Sequence, residues 1–433
     1  MLDINLIREH PEVVRADLQK RGDEENLARL DELIGWDRAW RENNTKVNEL
    51  RHRRNDLSKR VAAAQRAGED LSDLTQQASD LGGQIENLES YLDSVRSSID
   101  AALMRLPNIL DPDVPIGKDD TENVELRRWG EPRGVDFELR AHGELLETAD
   151  WGDFERGRKV SGAGFVFLKG DLVLLDLALQ KFALDFVMER GYVPVLPPFL
   201  LRRRPYEGVV DLADFANVMY KAEDEDLYLI ATSEHPIAAM HMDEVLAEED
   251  FPLRYAGIST NFRKEIGAHG VDTKGLFRMH QFNKVEQFIF APPEDSRQYH
   301  DELIGNAEAI FQQLEIPHRV VNVSTGDIGT VAAKKYDLET WSPRQGKYVE
   351  VVSCSNATDY QARRLNIKVG KRGGAKRLVH TLNSTAIATS RALVAILEHY
   401  QNEDGSVTLP KVLRPHFGGR ETLSSRADTS SNR

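Results

Sequence analysis

The residues whose types and spacing best suit chemistry lie in two runs, FRKE at 262–265 and FRMHQFNKVEQF at 277–288, joined by a segment containing Gly267, Gly270 and Gly275. Side chains on a strand alternate between its faces. As two strands of a hairpin, the first would put Arg263 and Glu265 on one face, and the second Arg278, His280, Phe282 and Glu286. Such a surface offers guanidinium forks for phosphate, an aromatic plate for a base, and carboxylates that accept from an exocyclic amine. Either strand alone reads as the polar side of a sheet, stabilised by cross-strand ion pairs. For the pair, the two readings stand level.

Two further segments supply complementary groups. KYVEVVSCSNATDYQARR at 347–364 offers Glu350 and Ser353 as oxygen ligands, and magnesium on nucleotide phosphates takes one or two such ligands besides water. Residues three apart face oppositely on a regular strand, so joint ligation requires a bulge. TLNSTAIATSRALVAILEHYQ at 381–401 puts Asn383 and Thr385 just ahead of a helix bearing Arg391, a setting suited to anions. Taken alone, each reads as ordinary structure, a polar sheet residue in one case and an N-capped core helix in the other. Other chemistries lack their signatures. There is no Walker A loop, GxGxxG, HExxH or G-x-S-x-G, and the histidines show no metal-ligand spacing. Cys354, the single cysteine, reads as a small buried residue. Its solitude excludes an intramolecular disulfide framework and a zinc site built from several cysteines.

These groups need a scaffold. Asp171–Gly191 reads as a helix, and short strand-like runs follow, among them LYLIATS, LRYAGIST and KYVEVVS. Strands and helices do not alternate regularly, which predicts an α+β fold with a largely antiparallel sheet. Upstream, apolar residues keep heptad spacing through Leu33, Trp36, Trp40, Val47, Leu50, Leu57, Val61 and Ala64, with Asn43 and Arg54 interrupting it. A second series runs from Leu71 to Leu106. Gly68 between them predicts an antiparallel helical hairpin, a coiled-coil arm over about 27–106 projecting roughly 45–50 Å. From Lys46 to Arg66 the arm holds seven bases against Glu49 and Asp56, a local +5. A charge run is usually a solvated face, and here it also suits a surface that tracks nucleic-acid phosphates.

With 433 residues the chain predicts more than one domain. Prolines 107, 112 and 115 end the arm, giving an N-terminal domain over 1–112, a catalytic domain over 113–418 and a disordered polar tail over 419–433. The net charge of −15 argues against indiscriminate nucleic-acid binding while permitting a local basic surface. No apolar stretch approaches a membrane span and the start lacks a signal peptide's apolar core, so a soluble cytoplasmic protein is expected.

Together these segments resemble the three signature motifs of class II aminoacyl-tRNA synthetases, and the match narrows to the seryl-tRNA synthetase family. GYVPVLPPFL with its preceding helix is similar to the first motif, FRKE…RMHQF to the second, and NSTAIATSR to the third. The opening LDINLIREHPEVVRADLQKRG, the hairpin arm, TSEHPIAAMH at 232–241 and SCSN…QARR extend the likeness over nearly the whole chain. The resemblance implies a class II antiparallel sheet flanked by helices, and ATP-dependent activation of L-serine to seryl-adenylate. Transfer to the 3' end of tRNA(Ser), and by the same likeness tRNA(Sec), would follow.

Carried over by matching position, Arg263 and Arg391 would be catalytic. Arg263, Lys264, Glu265, Arg278, Met279, Phe282, Glu350, Val351, Val352, Ser353 and Arg391 would bind ATP, with the adenine between Phe282 and Arg391 and its amino group read by Glu265. Thr232, Ser233 and Glu234 would grip the serine amine, Glu286 and Thr385 would face its side chain, and Arg263 and Asn383 complete that set. Glu350 and Ser353 would hold Mg2+. Lys46, Arg51, Arg53, Arg54, Lys59 and Arg60 would meet the long variable arm of the tRNA. The family is homodimeric, with Pro198 at the interface. Thr385-Ala386 and Ser390 stand where many relatives place glycine, which predicts a stiffer backbone there. A paralogue charging a carrier protein would lack the arm, and a non-catalytic binding protein on this scaffold would lack Arg263, Glu286 or Arg391. The chain keeps all of these.

Overall fold

In the computed structural model of the protein, which describes residues 1–212, 217–265, 275–371 and 374–423, contacts divide the chain into two compact units, Met1–Ile109 and Leu110–Arg433. The first is helical. Short α1 (Ile4–Glu9) and α2 (Pro11–Arg21) precede α3 (Glu24–Ala67), which pairs with α4 (Ser72–Leu103). The heptad series explains that pairing. Leu33, Val47, Leu57 and Ala64 of α3 and Ile85, Leu92, Val95 and Ile99 of α4 are buried in the seam. Gly68 closes α3 in the left-handed region at φ 70°, which a glycine adopts without steric cost. The helices outrun the expected 45–50 Å. The 44 residues of α3 span about 66 Å at the α-helical rise, because the helix runs on ahead of the Leu33–Ala64 heptads to Glu24, capped by the Asp23 carboxylate on the Asn26 N–H at 3.0 Å.

The second unit is built on an eight-stranded sheet. Its strands are β1 (Val124–Trp129), β2 (Val193–Val195), β3 (Leu253–Phe262), β4 (Gln281–Ala291), β5 (His318–Asn322), β6 (Lys334–Ser342), β7 (Lys347–Asn356) and β8 (His380–Ala388). Their spatial order is β1-β5-β6-β7-β8-β4-β3-β2, antiparallel throughout except for the edge pair β2/β3. One face is covered by α6 (Asp171–Met188) and α8 (Ser296–Gln313). Their Leu172, Leu175, Leu179, Phe182, Leu303, Ile304, Ala307 and Phe311 join Val285, Ile289, Leu338, Val352, Cys354 and Leu382 of the strands in the main core. Strand alternation then sends Phe282, Lys284 and Glu286 of β4 to the opposite face.

The sequence placed several boundaries differently. β3 ends at Phe262 and β4 begins at Gln281, so Arg263–Glu265 and Arg278–His280 lie beyond the ladder. The Arg263 N–H still reaches His280 O at 3.0 Å, but the His280 N–H goes to Gly164 O at 3.0 Å in place of the return bond to Arg263, so the regular ladder stops there. Asn383 and Thr385 belong to strand β8, and the helix α10 (Thr389–His399) starts only after it. α6 stops at Met188, short of Gly191. Residues 419–423 are folded, with Leu423 in the main core and the Leu409 N–H on Glu421 O at 2.7 Å. The rest of the expected disordered tail, 424–433, lies outside the described residues, as does the segment 266–274 with Gly267 and Gly270. Among the described residues no helix is long and apolar enough to cross a membrane.

Candidate active site

The open face of the sheet carries a cleft of about 380 Å³ whose lining draws on four strands and the loops beside them. Arg263, Phe282, Lys284, Glu286, Lys335, Glu350, Val351, Ser353, Asn383, Thr385 and Arg391 line it with Thr232 and Glu234. Two bulges make this possible. In the β6/β7 ladder Leu338 pairs with Val352 but Glu339 with Glu350, so Val351 is the extra residue. That extra residue brings Glu350 and Ser353 onto one face, as joint ligation requires. In β8/β4, Thr385 pairs with Glu286 and Ile387 with Val285, leaving Ala386 unmatched. Thr385 and Ala388 therefore both reach the cleft. β7 pairs with β8 only over Cys354–Asn356, and the strands diverge before that point.

One end of the cleft is an acidic pair. The Asn383 Nδ2 donates to Glu234 Oε2 and to Glu286 Oε1, both at 3.1 Å. Glu286 also accepts from the Thr385 hydroxyl at 3.3 Å and meets Lys284 Nζ. Glu234 opens α7 (Glu234–Ala239) and its other oxygen accepts from Gln361 Nε2 at 3.0 Å. Gln361, on α9 (Tyr360–Leu365), is itself fixed by the Thr381 hydroxyl at 2.6 Å. Burial, reinforced by the Glu286 charge, pushes the Glu234 carboxyl up to about 7. A cation placed between the two carboxylates would reverse that shift, so the pair is poised for an amine.

The other end is basic. Arg391 holds Glu350 through its carboxylate at 2.9 Å and its backbone oxygen at 2.8 Å. Burial raises the Glu350 pKa, but Arg391 and Lys335 outweigh it and hold the carboxyl below its usual range. Beneath them Asp337, pushed up to about 7 by burial against the pull of Lys335, pairs with Lys335 at 3.2 Å. Arg263 lies 5.7 Å from the Phe282 ring centre, and its charge acts on both Glu234 and Glu350. Four cations therefore face three carboxylates around one opening, with an aromatic plate between. This arrangement can seat a zwitterion beside a polyphosphate and neutralise charge that moves between them.

The remaining sequence-nominated residues are placed elsewhere. Arg278 and Met279 line a neighbouring cavity of about 410 Å³ with Glu155, Arg158 and Phe165. Arg278 therefore does not share a face with Phe282 and Glu286. Arg391 packs over Phe277, 5.3 Å from the ring centre, whereas the cation over the Phe282 ring is Arg263. Lys264 donates its N–H to Val218 O at 2.8 Å and sets its ammonium over the Tyr220 ring. Glu265 is half-buried and borders the undescribed segment. Ser233 turns to Gly257 O at 3.3 Å, and Val352 points into the core. Cys354 is fully buried, and burial raises its thiol well above the ordinary value.

Sequence reasoning missed Lys284, Lys335, Asp337 and Gln361. Period two was the available signal for the first three, since Lys284 lies between Phe282 and Glu286 on one face and Lys335 alternates with Asp337. Nothing local marks Gln361. In the first unit Lys46, Arg51, Arg53, Arg54, Lys59 and Arg60 are all exposed. Arg51 is paired with Glu89 across the hairpin at 2.6 Å and Lys59 with Asp56 at 3.2 Å. Among the described residues the other four show no ion pair. α4 carries Asp73, Asp80, Glu86, Glu89, Asp93 and Asp100 against Arg96, so the arm's charge is split between its helices.

An antiparallel sheet backed by helices, with arginines and carboxylates on its open face, defines a class II aminoacyl-tRNA synthetase core. The family described as tRNA synthetase class II core domain (G, H, P, S and T) matches residues 218–400, and the seryl-tRNA synthetase N-terminal domain matches residues 1–110. The serine–tRNA ligase of Methanocella arvoryzae is 60% identical over 98% of this chain and 100% of its own length. The seryl-tRNA synthetase of Pyrococcus horikoshii, solved in complex with ATP, superposes with a TM-score of 0.94 at 48% identity, covering 98% of this chain and all of that one. The cytoplasmic serine–tRNA ligase of Naegleria fowleri in complex with AMP gives 0.88 at 36% identity, covering 98% and 99%. The chain belongs to the seryl-tRNA synthetase family.

Proposed function

We propose that this cleft activates L-serine with ATP and that the chain then charges tRNA(Ser), and tRNA(Sec), with the product. The observation that carries this reading is the Glu234–Asn383–Glu286 arrangement beside Arg263, Arg391 and Lys335 in a single cleft. The serine ammonium sits at the acidic pair, with Thr232 beside it, and the hydroxyl meets Glu286 and Thr385. The serine carboxylate, ionised at neutral pH, attacks the α-phosphorus of ATP. The bond from the α-phosphorus to the bridging oxygen breaks, and pyrophosphate leaves. No protein base is needed, so catalysis rests on positioning and on charge neutralisation by Arg263 and Arg391. A ribose hydroxyl at the tRNA 3' end then takes the seryl group and AMP departs.

Glu350 and Ser353 present hard oxygen donors on one face, which fits Mg2+. When bound, that ion neutralises phosphate charge. Lys264, Glu265, Arg278, Met279, Val351 and Val352 contribute to the nucleotide site through backbone or loop contacts. A site that hydrogen-bonds a hydroxyl rejects alanine by roughly 10⁴-fold or more.

The basic helix of the arm takes the long variable arm of the tRNA through backbone phosphates. The enzyme works in the cytoplasm as a homodimer in which one subunit's arm serves the other's cleft. Exposed apolar residues on α6 and after it support the dimer, since Leu177 is 56% and Leu196 74% exposed beside Val173, Leu174 and Val193. The test is serine-dependent ATP–pyrophosphate exchange with alanine and threonine as controls, then charging of a long-variable-arm tRNA. Exchange with serine alone followed by charging is expected. Exchange without charging would favour a carrier-ligase paralogue, and silence with every amino acid would overturn the reading.

A further inference from the structure

Outside the cleft, a buried polar cluster joins three segments that the reaction as described leaves unexplained. His142, at the start of α5 (His142–Thr148), is fully buried. Its Nε2 accepts the Leu276 N–H at 3.2 Å, and its Nδ1 lies 3.5 Å from Glu398 Oε1. Because Nε2 accepts, the ring proton sits on Nδ1, facing Glu398. Glu398 is as deeply buried and also takes the Ser342 hydroxyl at 2.6 Å and Arg344 Nε at 3.2 Å. A second tie runs alongside, where Gln401 bonds the backbone N–H and C=O of Arg140 at 2.9 and 3.1 Å.

The two ends of this cluster are telling. Glu398 lies on α10, two turns along from Arg391. Leu276 is the residue before Phe277, over which Arg391 packs, and two before Arg278. A Cβ at Gly275 would come 2.1 Å from His142 Nε2, so the chain can pass the imidazole only as glycine.

We propose that His142 and Glu398 are positioning residues that clamp the chain at Gly275–Arg278 to the Arg391 helix and so set the nucleotide end of the site. The inference rests on the proposed ATP-binding roles of Arg278 and Arg391. The clamp holds the stretch carrying Phe277 and Arg278 in register with α10. The serine end, whose Glu234–Asn383–Glu286 bonds involve none of these residues, is untouched. Losing the clamp therefore weakens ATP and spares serine.

The experiment is ATP–pyrophosphate exchange on the full chain, with KM for ATP and for serine measured separately in wild type, His142→Ala, His142→Gln and Gly275→Ala. His142→Ala and Gly275→Ala are expected to raise the ATP KM about tenfold, the upper end for one lost hydrogen bond, with the serine KM unchanged. His142→Gln, which keeps an acceptor for the Leu276 N–H, is expected to restore most of the loss. If His142→Ala does not fold, Gly275→Ala carries the test, since it displaces the imidazole while leaving the Glu398 helix intact. Equal rises in both KM values, or an ATP KM unchanged in Gly275→Ala, would overturn the clamp. A wild-type chain without serine-dependent exchange would instead remove the activity on which it rests.

Discussion

Replacing Glu234 by glutamine probes the acidic end of the cleft most sharply. The wild-type carboxylate is fixed by Gln361 and Asn383 and shares the latter with Glu286. Glutamine keeps the size and removes one of the two charges that face the serine ammonium. A hydrogen bond to a charged group contributes about 1.5–3 kcal/mol, so the serine KM is expected to rise roughly tenfold to 150-fold. The pH must be chosen with care. Burial and Glu286 raise the Glu234 pKa to about 7, so the carboxyl of the free site is ionised above that pH and neutral below it. Serine binding is therefore strongest above pH 7 and weakens by about tenfold per unit as pH falls below it. Glu234→Gln abolishes that dependence, and the contrast between the two proteins is largest near about pH 8, where the wild-type group is ionised. The assay is ATP–pyrophosphate exchange with serine and ATP varied in turn. A rise below about threefold at that pH, an equal change in the ATP KM, or a wild-type pH profile surviving in the variant would refute the reasoning.

Other consequences concern separate parts of the molecule. Arg263→Lys keeps a positive charge but loses the planar fork, and should lower kcat for exchange by about 10²-fold, as loss of a transition-state donor does elsewhere. Neutralising Arg53, Arg54 and Arg60 together should weaken charging and flatten its salt dependence by up to about three phosphate contacts, leaving exchange intact. Neutralising Arg51 and Lys59, already paired with Glu89 and Asp56, should do much less. Leu92→Ala, in the seam of the hairpin, should cost about 2–5 kcal/mol of arm stability in denaturant melts while exchange continues.

What the sequence disclosed follows from which rules act locally. Heptads and Gly68 gave the hairpin because its packing repeats at short range, and the expected arm of about 27–106 differs only slightly at both ends from helices that run from Glu24 to Leu103. Arg263, Glu286, Glu350, Asn383, Thr385 and Arg391 were all legible as candidates, and the structure brings them to one cleft. The period-two argument was right for Phe282 and Glu286 but failed for Arg278 and His280, because the Gly164 carbonyl, distant in sequence, takes the His280 N–H and ends the ladder. The need for a bulge between Glu350 and Ser353 could be argued from spacing, but its place at Val351 depends on pairing with β6. Gln361 and His142 act through partners on other elements, where no local pattern points to them.

The central claim is that one cleft seats serine at Glu234 and Glu286 and the nucleotide at Arg263 and Arg391. The most direct measurement is a crystal structure of the chain with a non-hydrolysable seryl-adenylate analogue. The account predicts the ammonium between the two carboxylates beside Asn383, the phosphate mimic on Arg263, and the adenine against Phe282. An analogue bound with its ammonium away from Glu234 and Glu286, or with its phosphate mimic away from Arg263 and Arg391, would contradict it.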